Sequence, residues 1–242
     1  RYLIESFEKK YGVILSQGYG ATETSPVVTL SIPKSYMQTL SVDEKIDIRT
    51  TAGMPVPMLD VKLISLETGK EARMDGRDMG EILVRGPWIA GEYYKNPQQS
   101  AITFKDGWFR TGDIGIMNPE GYISLVDRTK DLIKSAGEWI SSIDLENAIM
   151  EFSGVLEAAV ISMPDAKWQE RPLACVVLRP ESANTVTKED IQAYLQDKVA
   201  KWWIPEEIVF LPELPKTSVG KFDKKKLRAT VLPEVLKKQD QV

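Results

Sequence analysis

The stretch from Gly107 to Ser142, GWFRTGDIGIMNPEGYISLVDRTKDLIKSAGEWISS, limits the possible fold more than any other part of this chain. An acid follows a tight turn at Thr111-Gly112-Asp113, and a short strand pattern follows at Tyr122 to Val126. A charged run, Asp127-Arg128-Thr129-Lys130-Asp131, leads to a glycine turn at Gly137 and a capped helix start. This order predicts one domain that closes on a ligand-binding acid, then a polar joint, then a second domain.

On either side of that stretch the texture differs. Leu3, Ile4, Phe7 and Tyr11 recur at helical spacing, and the apolar run Val13-Ile14-Leu15 reads as a buried parallel strand. The glycine-rich segment Gln17 to Thr24 would then lie past a strand's carboxyl end, where open α/β sheets collect ligands. Residues 33 to 52 are polar and unpatterned and read as a surface loop. From Gly53 to Val126, short β-rich runs at 61–64, 81–84 and 122–126 alternate with turn signals, which suggests a small barrel or bent sheet.

Beyond Lys130, Ser141 or Ser142 caps a helix with Leu145, Ala148, Ile149 and Phe152 on its apolar face. Strand-like runs follow at 155–162 and 172–179. A second helix starts at Thr187, with Ile191, Tyr194, Leu195 and Val199 on one face, and a strand covers 207–211 before a proline-punctuated tail. Helix, strand, strand, helix, strand is a compact α+β domain.

Composition narrows the chemistry. The 242 residues contain no histidine, which removes His-based triads, His-ligated metals and His as a general base. Chemistry must come from Lys, Arg, Asp, Glu, Thr or Tyr, or from substrates and a hard metal. The one cysteine, Cys175, lies in an apolar run and reads as a buried strand residue, and reducing, cytoplasmic surroundings are expected. The formal charge of −4 offers no global basic field for nucleic acid. No apolar run approaches the ~18 residues of a transmembrane helix. The opening residues, Arg1-Tyr2-Leu3-Ile4-Glu5-Ser6, do not form a secretory signal, and without an initiator Met the chain is expected to be part of a longer protein.

Four segments could carry chemistry. Tyr19-Gly20-Ala21-Thr22-Glu23 offers a flat ring, a hydroxyl and a carboxylate, suited to a purine, a phosphate oxygen and Mg²⁺, or it is a solvated turn. Asp113 suits a ribose diol, which presents two hydroxyl donors to one carboxylate, or it braces its own backbone. The charged run at 127–131 is a linker or a solvated turn, and Gly137 allows close backbone approach or positive φ. Lys221, after Thr217-Ser218-Val219-Gly220, is either a solvated lysine or a cation delivered by a loop to an anionic transition state.

Taken together and in order, YGATE, GEILVRGPWIAGEYY, GWFRTGDIG, DRTKDLIKSAGEWIS and PKTSVGKFD resemble the adenylate-forming enzymes along essentially the whole chain. GEWISSIDLEN is most similar to the medium- and long-chain fatty-acyl-CoA ligases. The resemblance implies the C-terminal half of such an enzyme, of mixed α/β and α+β class. Residues 1–52 would end the nucleotide-binding α/β subdomain with its parallel sheet, and 53–126 would form a β-barrel-like subdomain. Residues 127–131 would be the hinge and 132–242 a mobile α+β domain.

The resemblance also implies roles. Tyr19, flanked by Gly18 and Gly20, would pack on adenine. Thr22 would contact phosphate and Glu23 would hold Mg²⁺. Asp113 and Arg128 would bind the ribose, with Lys130 as the hinge position. Gly137 would face the pantetheine arm of coenzyme A, Trp139 would border the nucleotide, and Lys221 would bridge the carboxylate and the α-phosphate. The substrates would be a fatty acid, ATP and coenzyme A.

The family's phosphate loop and most of the acyl pocket would precede residue 1, in a missing N-terminal half of the same polypeptide, so the 242 residues are expected to be inactive alone. An aryl-CoA ligase, a carrier-loading adenylation domain and a non-catalytic nucleotide- or partner-binding piece are the alternatives. Acyl chain length and oligomeric state, a homo-oligomer included, are left open.

Overall fold

Tyr2–Tyr11 forms helix α1, which ends on Gly12 at φ +66°, where the glycine N–H reaches back to Glu8 O and Phe7 O. The computed structural model describes residues 1–218 and 220–239. It divides into two units, Arg1–Thr129 and Lys130–Val242.

In the first unit, Gly18–Tyr19 (β1), Thr29–Leu30 (β2) and Met54–Pro55 (β3) pair as a three-stranded antiparallel sheet in that order. The expected parallel strand at Val13–Leu15 is not there. Those residues pair with no strand among the described residues, and Val13 and Ile14 are 46% and 68% exposed. An apolar run becomes a strand only when a neighbour completes its ladder.

The expected surface loop at 33–52 is also corrected. It contains a 3₁₀ turn at Ser35–Thr39 and helix α2, Val42–Thr50. Ser41 caps α2, accepting from Glu44 N while the Glu44 carboxylate returns to Ser41 N at 2.8 Å. The local cap holds this helix more than any apolar stripe does, and that is why hydrophobic periodicity missed it.

The β-rich segment is a five-stranded antiparallel sheet. Asp60–Ser65 (β4), Gly80–Arg85 (β5), Trp108–Met117 (β7) and Phe104–Lys105 (β6) run in the order β4-β5-β7-β6, and Ile123–Arg128 (β8) pairs with β7. Helix α3, Pro97–Thr103, precedes β6 and is capped by Asn96. Val28, Ala52, Leu59, Leu63, Ile82, Val84, Phe109 and Ile123 form the core. The β7–β8 register shifts between Ile114 and Gly115. Such a bulge bends the strand and re-aims its neighbours, here beside Asp113. Asp127 and Arg128 are the last residues of β8, and Asp127 is buried.

In the second unit, Glu138–Ile140 (β10), Ile133–Ser135 (β9), Gln169–Leu178 (β12) and Val155–Asp165 (β11) run in the order β10-β9-β12-β11. Glu207–Phe210 (β13) joins β12 in parallel. Successive strand residues face opposite sides, so β11 serves two cores. Ala158 and Val160 pack with Leu145, Ile149, Ile191 and Leu195 of helices α4 (Ser142–Met150) and α5 (Lys188–Leu195). Ala159, Ile161 and Met163 pack with Cys175 and with Leu227, Val231 and Val235 of α6 (Lys224–Gln239).

Burying each Leu, Ile or Val of these clusters stabilises the fold by roughly 1.5–3 kcal/mol. Ser141 caps α4 and Thr187 caps α5, each accepting from the N–H three residues on. The expected proline-punctuated tail is instead α6, whose Leu227, Val231 and Val235 repeat every fourth residue on the buried side. Its lysine-rich start and internal Pro233 hid that stripe in the sequence.

Candidate functional site

The first cluster lies where β1 meets β7 and β8. Gly20 belongs there for a steric reason, since a Cβ on it would stand 1.7 Å from Pro26 O. Thr24 is fully buried and ties the turn, accepting from Ala21 N at 2.8 Å and bonding Pro26 O at 2.8 Å. The 3₁₀ turn Thr22–Thr24 leaves Thr22 exposed and Glu23 half-buried.

This folding brings Tyr19 to Asp113. The Tyr19 hydroxyl donates to Asp113 Oδ2 at 2.7 Å, and Arg128 Nε donates to Asp113 Oδ1 at 3.1 Å. Arg128 and Asp113 are cross-strand partners in β8 and β7. Asp113 N donates to Thr111 Oγ1 at 3.0 Å, and Thr111 in turn is fixed to Ile82 O at 2.8 Å. Burial, then the Asp113 charge, raises the Tyr19 phenol well above its ordinary value.

Glu23 is held by a residue to which the sequence assigned no role. Tyr93 Oη donates to Glu23 Oε1 at 2.7 Å, and Ala90 N donates to Glu23 O at 2.8 Å. The Tyr93 ring packs edge-on against Phe104, which stacks on Phe109 of the core. Burial, then the bond to Glu23, pushes the Tyr93 phenol up to about 12. The GEYY segment was visible as a motif, but its partner lies far away in sequence, which no local pattern reports.

The other sequence-identified residues belong to the second unit. Lys130 is exposed, and its carbonyl accepts from Arg228 Nη2 at 3.0 Å, while Arg228 also pairs with Asp131 at 2.6 Å. Gly137 sits at φ +86° in the turn between β9 and β10, with nothing near enough to obstruct a Cβ. Trp139 follows on β10 opposite Lys134, whose Nζ stands 4.8 Å from the indole centroid.

Lys221 ends a separate loop. Thr217 N donates to Lys221 O at 2.8 Å, Gly220 N donates to Thr217 O at 2.9 Å, and Lys216 bridges to Phe222. Among the described residues the exposed Lys221 ammonium pairs with no carboxylate. Val219 of this motif lies outside the described residues.

Among the described residues no three His, Cys, Asp or Glu side chains are grouped to hold a metal. A nucleotide-borne Mg²⁺ needs less, since one or two carboxylates and substrate phosphates suffice. Glu23 fits that requirement, because Tyr93 occupies only one of its oxygens. Among the described residues no helix is long and apolar enough to cross a membrane.

Two family models match the chain in succession. The AMP-binding enzyme model covers residues 1–94, and the AMP-binding enzyme C-terminal domain model covers residues 144–221. The chain belongs to the AMP-binding, or adenylate-forming, enzyme family.

It is 48% identical over 231 residues to a long-chain-fatty-acid–CoA ligase of Thermus thermophilus, covering 94% of this chain and 42% of that protein. It is 38% identical over 226 residues to a medium-chain-fatty-acid–CoA ligase of Ectopseudomonas oleovorans, covering 93% and 40%. Among solved structures it is similar to ATP-bound MatB from Rhodopseudomonas palustris, with a TM-score of 0.76 and 29% identity over 94% of this chain and 42% of that one. It is also similar to o-succinylbenzoate CoA synthetase (MenE) from Bacillus subtilis in complex with its acyl-adenylate, with a TM-score of 0.78 and 29% identity over 94% and 43%. The chain thus spans about two fifths of the length of the curated relatives it matches.

Proposed function

We propose that this chain is the C-terminal part of a fatty-acid–CoA ligase. The observation that carries this reading is the 48% identity to a long-chain-fatty-acid–CoA ligase along nearly the whole chain. The structure adds an exposed apolar face. Leu3 and Tyr11 of α1 are 65% and 59% exposed, and Ile14 beyond it is 68% exposed. A surface of that kind suits residues that precede it in a longer polypeptide.

The reaction has two steps. A fatty carboxylate oxygen bonds to the α-phosphorus of ATP, the bond to the bridging oxygen breaks, and pyrophosphate leaves with that electron pair. The sulfur of coenzyme A, its proton lost, then attacks the acyl-adenylate carbonyl and AMP departs. Both steps depend on positioning and charge neutralisation more than on proton transfer by the protein, which suits a chain without histidine.

Asp113 accepts the ribose hydroxyls. Tyr19 and Arg128 each occupy one of its oxygens and leave the remaining lone pairs for the sugar. Arg128 stands beside the same sugar, the Tyr19 ring packs against adenine between Gly18 and Gly20, and Thr22 donates to phosphate. Bound Mg²⁺ would neutralise phosphate charge, and Glu23 would hold it with Tyr93 orienting the carboxylate. Lys221 neutralises the α-phosphate and the incoming carboxylate during adenylation. The turn at Gly137, free of obstruction, meets the pantetheine arm in the second step, with Trp139 beside it, and Lys130 is the joint.

The test is Lys221→Ala in the full-length enzyme. Pyrophosphate exchange should fall at least about 100-fold, while thioester formation from supplied acyl-adenylate stays within about threefold. Equal losses in both half-reactions would remove the role assigned to Lys221. Coenzyme A-dependent AMP release across fatty and aryl acids tests the substrate class, and turnover confined to aryl acids would overturn the fatty-acid assignment.

A further inference from the structure

Lys221, Lys224, Lys225 and Lys226 form a basic run that reads as a solvated stretch in the sequence. The structure sets one of them apart. Lys221, Lys225 and Lys226 are exposed, whereas the Lys224 side chain is only 13% exposed. Its ammonium bonds Ser142 Oγ at 2.6 Å and Glu146 Oε1 at 2.6 Å. Glu146, 7% exposed on α4, also accepts from Val160 N of β11 at 2.8 Å.

Taking a lysine and a carboxylate out of water is unfavourable, and an apolar pair often serves stability as well or better. α6 has no need of the pair for its docking, because Leu227, Val231 and Val235 are already buried under the sheet. What the pair adds is a directional fix, three residues after Lys221, at the point where the loop becomes helix.

Phe222 packs against the apolar cluster of Ala159, Ile161 and Cys175, and among the described residues the loop's other hydrogen bonds and ion pairs are exposed or internal to it. Thr217 N to Lys221 O and Asp223 N to Pro215 O bind the loop to itself. Lys216 to Glu157 reaches the sheet, but through a lysine side chain that is 44% exposed. The Lys224–Glu146–Ser142 cluster is a buried polar link from the base of the loop to α4 and, through Val160 N, to β11.

We propose that Lys224 is a positioning residue for the adenylation half-reaction, holding the Lys221 loop in place through Glu146 and Ser142. This rests on Lys221 acting in adenylation. A reacting cation displaced by about 1 Å can cost on the order of 100-fold in rate, so an anchor one helical turn away has kinetic weight.

The experiment uses the full-length enzyme and separates the half-reactions. Lys224→Met alone would leave the buried Glu146 carboxylate without its lysine, so the informative variant is Lys224→Met with Glu146→Gln. The glutamine carbonyl still accepts the Val160 N–H, and the lysine and carboxylate charges are removed together. We expect pyrophosphate exchange to lose about 10- to 100-fold in kcat, with KM for ATP and fatty acid within about threefold. Thioester formation from supplied acyl-adenylate should be retained, with the melting temperature within a few degrees, and Lys224→Arg should keep most of the exchange activity. Exchange at the wild-type rate in the double variant, with Lys221→Ala impaired, overturns the positioning role alone. Wild-type exchange in Lys221→Ala overturns the underlying reading as well. Equal losses in both half-reactions mark a general structural role and overturn the proposal.

Discussion

The Tyr19 hydroxyl donates to Asp113 Oδ2 at 2.7 Å, joining residues 94 positions apart in sequence. The bond anchors the glycine-rich loop to β7 and sets the orientation of the carboxylate that Arg128 holds from its other oxygen. A hydrogen bond to a charged acceptor of this kind contributes about 1.5–3 kcal/mol. Tyr19→Phe should therefore lower the unfolding free energy of this chain, read from urea denaturation, by an amount in that range. In the full-length enzyme it should also weaken AMP binding by about tenfold, because Asp113 loses its orientation. Calorimetry with AMP measures the second effect, and an unchanged affinity would separate Tyr19 from the nucleotide site.

Three weakly acidic groups share one direction of shift, and this gives the alkaline stability a sign. Burial, then Asp113, raises the Tyr19 phenol. Burial, then Glu23, pushes Tyr93 up to about 12, and burial alone pushes the Cys175 thiol up to about 12. Each group keeps its proton in the fold at a pH where the unfolded chain has lost it, about 8.5 for cysteine and about 10 for tyrosine. The unfolded state therefore binds fewer protons, and stability falls as pH rises. The contribution is complete below about pH 8.5 and is lost progressively up to about pH 12. Denaturant midpoints between pH 8 and 12 should show this decline, and Tyr93→Phe should flatten its upper part. Midpoints that rise with pH would contradict the assignment.

Gly20 and Gly137 should respond differently to alanine. At Gly20 the new Cβ would overlap Pro26 O at 1.7 Å, so the loop carrying Tyr19 and Glu23 must rebuild. At Gly137 the space is open, and only the left-handed backbone at φ +86° resists, at a cost of about 1–2 kcal/mol. Gly20→Ala should lower the unfolding midpoint more than Gly137→Ala and abolish AMP binding. Gly137→Ala should leave AMP binding intact. Circular dichroism melts and calorimetry on the two variants are sufficient, and equal effects would refute the steric argument.

Elements with a local chemical signal were legible in the sequence. Ser141 with Asp144, and Thr187 with Asp190, announce their helices because a cap is a contact between near neighbours. Ser41 and Glu44 make the same kind of cap, but only Ile46 and Arg49 of α2 are buried, so no apolar stripe drew attention to it. Val13 to Leu15 failed in the opposite sense, as an apolar run whose sequence cannot supply the neighbour a strand requires. Asp113 was marked by its glycine turn, whereas Tyr93 and Lys224 were hidden because their partners, Glu23 and Glu146, are distant in sequence.

Tyr93 gives the sharpest test of the metal assignment. Its hydroxyl holds Glu23 Oε1 at 2.7 Å, and its ring is fixed against Phe104, so the carboxylate is oriented before any ligand arrives. Tyr93→Phe keeps the ring and its packing and removes only the donor. Glu23 keeps its charge but loses its direction, so the affinity for Mg²⁺ with nucleotide should fall while the fold stays intact. In the full-length enzyme the Mg²⁺ concentration giving half-maximal pyrophosphate exchange should rise about 3- to 10-fold, in proportion to one hydrogen bond of about 1 kcal/mol. At saturating Mg²⁺ the rate should recover to within about twofold, since a misdirected ligand can be offset by mass action whereas a lost catalytic group cannot. A rate that stays low at every Mg²⁺ concentration would mean that Tyr93 acts on the reacting groups themselves, and Glu23 would then have to be reassigned.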